Sequence, residues 1–479
     1  MEPRWVSCQT QVLHGSVNFS RFGHTACAVD SSAVWGMELC VVFGGVSFSD
    51  ASRATDQHAA LGDVLVLQTE SMTWFSPQLT GPEHGLPPPR AFHCAAVVGR
   101  LLYVFGGHVL TFDSEQNKKR RQFFDDLWCL DTPASPHPKL TTGRAALHRA
   151  IHTLPPGGSH PASWVPGPAV HTRTAGVGHS SPLRCRTLPA PPRRDMASLT
   201  HSGSGGLLLL GGRAENGRTL GDAWVFDTQK CAWTLLRVAG PVPHPRKMHA
   251  AVSASSRVIL FGGEREGGLC DDLWSLKGLD GSEAARWTAL KMRPAPGARF
   301  GHAMAVSGSS MALFGGCLDT SSFLSLTRSY AQCRELWVLH LPSFRGDLRA
   351  VRGWGVEEGG PRRHSGSAEL RFDGRAGGQG RVCAEADPAA GGHRRSVDTR
   401  PRWCIERCLP GARRGGVELT SHWRKADLDP GGFPAPCERM CHSLTCLADG
   451  RLLLLGGRTK EGLCADVWTL AVVSVSSVW

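Results

Sequence analysis

A short apolar run that ends in two glycines occurs six times in this chain, and no other feature limits its possible folds as much. The copies are Val41-Val42-Phe43-Gly44-Gly45, Tyr103-Val104-Phe105-Gly106-Gly107, Leu208-Leu209-Leu210-Gly211-Gly212, Ile259-Leu260-Phe261-Gly262-Gly263, Ala312-Leu313-Phe314-Gly315-Gly316 and Leu453-Leu454-Leu455-Gly456-Gly457. Each run is brief, apolar and stopped by glycine, which reads as a buried strand. The glycine pair permits positive φ and close approach of a neighbouring backbone. Downstream of each pair an acid precedes a bulky apolar residue: Asp63-Val64-Leu65, Asp126-Leu127-Trp128, Asp222-Ala223-Trp224, Asp272-Leu273-Trp274, Glu335-Leu336-Trp337 and Asp466-Val467-Trp468. A further tryptophan follows in several copies, at Trp74, Trp233, Trp287 and Trp423. Upstream lies Arg-x-x-His, at Arg21 and His24, Arg90 and His93, Arg246 and His249, Arg299 and His302, and Arg439 and His442; the third copy keeps Arg194 but has Ala197 for histidine.

Each unit thus holds three or four short strands, too few to bury its own apolar faces, so the copies must pack on one another. The diglycines at 211, 262 and 315 are 51 and 53 residues apart. This arrangement resembles the kelch-repeat family, whose units are about 50 residues long. The resemblance implies an all-β fold: a six-bladed β-propeller of four-stranded blades around a central channel. The last copy lacks an outer strand. Trp5 precedes Arg21 by 16 residues, as Trp74 precedes Arg90 and Trp423 precedes Arg439. The segment Arg4 to Val12 is therefore expected to close the ring against the C-terminal strands. The rival, Trp479, follows Ala471 to Val478, which has no turn-forming residue.

Two stretches break the spacing, and two long low-complexity inserts are expected in the propeller. Residues 1–132 are read as two blades with the closing strand, 133–190 as a disordered Pro/His-rich insert and 191–344 as blades three to five. Residues 345–422 are read as a disordered Gly/Arg-rich insert, and 423–479 as the end of the fifth blade with the sixth. Neither insert has the apolar content to offset the entropy of ordering. Arginine without lysine in the second, and the lack of repeat signals, also fit retained intron sequence; a mature message containing both stretches would remove that reading. The inserts hold most of the net charge of +12: six cations and no acid in the first, fifteen arginines against ten acids in the second. The remaining chain is nearly neutral, so the sum gives no support for a nucleic-acid face.

The repeated Arg21, His24, Arg90, His93, Arg246, His249, Arg299, His302, Arg439 and His442 are the candidate partner-binding rim. Their competing role is structural, hydrogen-bonding loop carbonyls between blades. Cys437, Cys441, His442 and Cys446 superficially suggest a metal site, but His442 already fills the repeat's own histidine position, and no metal is expected. Kelch-type copper oxidases need tyrosine ligands, and this chain has only Tyr103 and Tyr330. No nucleophile elbow or phosphate-binding Gly-Lys-Ser/Thr is present. The expectation is therefore a protein-interaction scaffold: no enzyme, no cofactor, a protein partner bound by the propeller loops.

No run of 18 apolar residues would span a membrane. The start, MEPRWVSCQT, lacks a signal-peptide pattern, and 17 cysteines then read as reduced thiols of the cytoplasm or nucleus. A second reading rests on Arg439-Met440-Cys441-His442, Asp449-Gly450-Arg451-Leu452, Gly456-Gly457-Arg458-Thr459 and Gly211-Gly212-Arg213. These look like the kelch region of leucine carboxyl methyltransferase-like proteins that make wybutosine in tRNA. That resemblance implies an accessory portion of a tRNA-modifying system, with nucleic acid as partner, and no cofactor loop of its own.

Overall fold

In the computed structural model, six sheets follow one another around a ring, each built on four antiparallel strands, and the first and third carry a short fifth strand. The structure describes residues 4–13, 18–30, 38–47, 59–77, 79, 86–113, 118–131, 163–166, 189–203, 205–281, 284–318, 331–341, 422–428 and 434–471. The innermost strands are Thr25–Asp30, Cys94–Val98, Ser198–His201, Ala250–Ala254, Ala303–Ser307 and Ser443–Cys446. Each adjoins the next, and the last adjoins the first. The second strand of each blade carries the apolar run, for example Glu38–Phe43, Gly206–Ala214 and Arg451–Leu455. Both faces of these strands are covered, which is why the sequence reads as a continuous apolar run and does not alternate.

The burial is between blades, as units of this size require. One cluster joins Val41, Phe43 and Val66 of the first blade to Leu102, Val104 and Trp128 of the second. Five more clusters join the second to the third, and so on around to Leu453, Leu455 and Val467 of the sixth against Val42, Leu65 and Trp74 of the first. The tryptophans of the two outer strands face the preceding blade. Trp233 lies 5.3 Å from Phe105 by ring centroids, and Trp423 lies 6.0 Å from Phe261.

Ring closure follows the spacing of the tryptophans. The strand Arg4–Ser7 pairs antiparallel with Val467–Ala471, so the N-terminal segment supplies the outer strand of the sixth blade. Trp5 is buried there, 5.1 Å from Phe314. The expected single strand to Val12 is split. Gln11–Val12 instead runs parallel to Thr73–Trp74 of the first blade, because the chain must cross from one blade to the next. Trp479 lies outside the described residues.

The first insert needs a correction. Ser163–Pro166 pairs with Leu127–Asp131 as the outer strand of the second blade. Trp164 is thus the tryptophan that this copy seemed to lack. It went unrecognised because 33 residues separate it from Asp131, far beyond the turn in the other copies. The other residues of the first insert up to 188, and residues 345–421 of the second, lie outside the described residues.

Candidate functional site

The six Arg-x-x-His segments, with Ala197 replacing histidine in the third, meet at one end of the channel, and their third residues form a closed ring. Gly23 N donates to Cys441 O, Phe92 to Gly23, Met196 to Phe92, Met248 to Met196, Gly301 to Met248 and Cys441 to Gly301, at 2.8–3.0 Å. All six residues are left-handed, with φ between 53° and 64°. Only two are glycine, so four side chains accept about 1 kcal/mol or more of strain each. Met196 and Met248 pack with Phe300, Cys317 and Met440 as one apolar cluster, and Phe92 and Cys441 lie against it. A cavity of about 120 Å³ beside them is bordered by His24, His93, His249, His302 and His442.

The arginines are not a surface rim. Arg21, Arg90, Arg246, Arg299 and Arg439, with Arg194, are at most 2% exposed. Each pairs with the acid of its own blade: Asp63, Asp126, Asp272, Glu335 and Asp466, with Asp222 for Arg194, at 2.6–2.9 Å. Each also donates to the carbonyl of the first glycine, as Arg246 does to Gly262 at 2.9 Å. In five blades the tryptophan of the acid strand donates its Nε1–H to the same acid, from 2.6 Å in Trp274 to 3.1 Å in Trp337. The first blade has Leu65 there and lacks this bond. Burial would raise the carboxyl pKa of Asp222, Asp272 and Asp466, but the guanidinium and indole donors overcome it and hold each below the usual range.

The diglycine now has its physical reason. Gly457 N donates to the Arg21 carbonyl of the next blade at 2.9 Å, and the same bond recurs at all six junctions. A Cβ on Gly456 would lie 2.6 Å from that carbonyl oxygen, so only glycine admits it. The arginine therefore grips its own blade through its side chain and the preceding blade through its backbone. Replacing Arg246 by methionine is expected to cost about 2–3 kcal/mol, since the Gly262 carbonyl and part of Asp272 lose their donors. Urea unfolding checks this, and an unchanged midpoint would sink the structural role.

Three of the five histidines bridge neighbouring blades. His24 Nε2 lies 3.0 Å from Ser443 Oγ, His93 Nε2 2.9 Å from Thr25 Oγ1, and His249 Nε2 2.8 Å from Ser198 Oγ. Burial, with the nearby arginine charge, lowers the pKa of His24, His249 and His442 to about 3 and puts His93 and His302 well below 6.5. All five are buried and held neutral. Cys437, Cys441, His442 and Cys446, set aside as metal ligands on sequence grounds, lie in different parts of the last blade. Cys441 belongs to the axial ring, His442 to a blade junction, and Cys437 faces Cys464. Among the described residues, no group of three His, Cys, Asp or Glu is arranged for a metal.

Departures from the repeat were less legible. In the third copy Asp195 occupies a position held by Phe22, Ala91, Lys247, Phe300 and Met440 elsewhere. It is buried, 2.8 Å from His108 Nδ1 and 2.6 Å from Arg213 Nη2. Burial works against its charge, but the bonds from His108 and Arg213 win and keep it ionised. This cluster anchors the hairpin His108–Asp113 with Lys118–Phe123, which carries four consecutive cations, Lys118 to Arg121. Charge summed over the folded part conceals that run. Between the third and fourth blades lies a cleft of about 550 Å³ lined by Pro192, Arg218, Leu220, His244, Pro245, Arg265 and Glu266 among others. Both features lie between the repeated strands of the blades, where repeat spacing carries no information.

A family model described as the KLHDC2/KLHL20/DRC7 Kelch-repeats domain matches residues 3–159 and 180–345. Host cell factor of Drosophila melanogaster is 25% identical over 242 residues, covering 50% of this chain and 13% of that protein. Human Kelch domain-containing protein 3 is 24% identical over 264 residues, 52% of this chain and 62% of its own length. Human Host cell factor 2 is 25% identical over 369 residues, 68% of this chain and 42% of its own length. The chain thus spans less than two thirds of each of these relatives. Neither the matched model, which ends before the last blade, nor these relatives carry the likeness to wybutosine-synthesis proteins. With the matched model covering most of the propeller, and with diglycine, arginine and acid each serving one repeated junction, the chain belongs to the kelch-repeat family.

Proposed function

We propose that this chain is a non-enzymatic interaction propeller that binds an acidic segment of a partner protein at the cleft between the third and fourth blades. Unpaired charge carries the reading. Arg218 and Arg265 are exposed at this cleft beside His244, and among the described residues neither arginine has an ionic partner. Leu220, Pro192 and Pro245 supply apolar surface, and Glu266 is the one unpaired acid of the lining. Guanidinium groups in a concave site recognise carboxylates through paired hydrogen bonds. The polar groups at the axis support the non-enzymatic reading, because their charges and protons are committed to holding the blades. The thirteen described cysteines are all free, which supports a reducing compartment, cytoplasm or nucleus.

The test is affinity capture from cell extract with the full chain and with Arg218→Glu combined with Arg265→Glu. Proteins held through an acidic segment are expected to drop by roughly tenfold or more in the variant. Its melting temperature is expected to stay unchanged, since both side chains are exposed. Equal recovery of every partner by a folded variant would remove the cleft from the binding surface.

A further inference from the structure

We propose that Cys437 and Cys464 form an oxidisable thiol pair, a modification site in the last blade for hydroperoxides. Cys437 stands two residues before Arg439 and Cys464 two residues before Asp466, so they flank the two ends of one ion pair. Their sulfurs are 3.8 Å apart. Arg439 Nη2 donates to Cys437 Sγ at 3.0 Å while Asp466 holds the same guanidinium at 2.6 and 2.7 Å. Cys437 is exposed and Cys464 is buried.

The repeat itself does not require this pair. At the position of Cys437 the other blades carry Phe19, Pro88, Pro192, His244 and Gly297. At the position of Cys464 the fourth and fifth blades also have cysteine, Cys270 and Cys333, but no thiol stands opposite them. Among the described residues, only the last blade combines an exposed sulfur, a fixed guanidinium and a second thiol in contact. The geometry favours the thiolate of Cys437. The Cys464 S–H and the Arg439 charge draw its pKa down to about 6, while Cys464 is pushed up and keeps its proton.

The chemistry balances with a hydroperoxide as oxidant. The Cys437 thiolate attacks the terminal oxygen, the O–O bond breaks, and the remaining oxygen leaves as alkoxide, or as hydroxide from hydrogen peroxide. Cys437 is then a sulfenic acid. Cys464 sulfur attacks Cys437 sulfur, the S–S bond forms, the S–O bond breaks, and the hydroxyl leaves as water with the Cys464 proton. Two thiols have lost two electrons, and the hydroperoxide has become water and an alcohol, or two waters. The sulfurs must close from 3.8 Å to about 2.05 Å. An external thiol reverses the step by exchange.

The test uses the full chain. Cys437 is the one cysteine in the tryptic peptide Ala426 to Arg439, and Cys464 is the one in Glu461 to Trp479. Hydrogen peroxide is expected to yield these two peptides linked, lighter by two hydrogens, and dithiothreitol to separate them. In Cys464→Ser the link is expected to vanish and dimedone to label Cys437 instead. Without oxidant, iodoacetamide is expected to label Cys437 with a half-maximal rate near pH 6. Absence of the linked peptide after peroxide treatment, or linkage of Cys437 to a different cysteine, overturns the proposal whatever the alkylation profile.

Discussion

Replacing Trp5 by alanine is expected to lower the stability of the whole propeller by about 3–5 kcal/mol, the range for emptying a large buried aromatic site. The effect is global because of where the residue stands. Trp5 packs in the cluster that joins the fifth blade to the sixth, among Phe314, Leu336, Leu454 and Trp468. Its strand is also the only cover for the edge of Val467–Ala471 among the described residues. Without it that strand exposes a row of unpaired amides and carbonyls. Deleting residues 1–12 is expected to cost more still, since it removes this strand and the parallel contact of Gln11–Val12 with the first blade. Deleting residues 472–479, by contrast, is expected to have little effect. Thermal and urea unfolding of the three variants checks the order. A C-terminal deletion that destabilised more than the loss of residues 1–12 would show that the ring closes through its other end.

Acidification is the second large effect. The five buried histidines have folded pKa values far below the unfolded value of about 6.5, with His24, His249 and His442 at about 3. Between these values the unfolded chain binds protons that the folded one excludes. Their contribution is therefore complete above about pH 6.5 and is lost as pH falls toward 3. Each of His24, His249 and His442 accounts for about 1.4 kcal/mol by about pH 5.5, or about 4 kcal/mol for the three, and His93 and His302 act in the same direction. Native stability is itself about 5–15 kcal/mol, so a large loss of stability is expected between about pH 6.5 and 5. The lowered carboxyls of Asp222, Asp272, Asp466 and Glu335 lose their contribution only at lower pH, below about 4, so the two windows separate. Urea midpoints at pH 7.5, 6.5 and 5.5 check the sign and the window. A midpoint constant across that range would mean that the histidines ionise inside the fold.

How legible each part was depended on whether it repeats. The arginine, the acid and the diglycine stand at recurring positions, and the structure shows them satisfying one another at each junction. Recurrence in all six copies for Arg246 and in five for His249 favoured a structural role before any contact was known, and their burial agrees with that role. Their assignment to a rim failed because a linear pattern does not say which way a side chain faces. Trp164 was missed for a different reason. The polymer tolerates a long excursion before an outer strand, because closing a longer loop costs only slightly more entropy.

The sequence by itself determined the class of fold and its closure. Short apolar runs stopped by glycine can only be strands, units of that size can only be stable by stacking, and an unpaired final unit needed a tryptophan strand found at the other end. Tertiary structure alone decided what lies between repeats. It placed Asp195 under His108 and Arg213, opened the cleft beside Arg218 and Arg265, and set Cys437 against Cys464 across an ion pair. The reason is physical. Backbone pairing and apolar burial are periodic, and a period can be read along a chain. Contacts between loops of different blades depend on distances across the ring, and those exist only once it has closed.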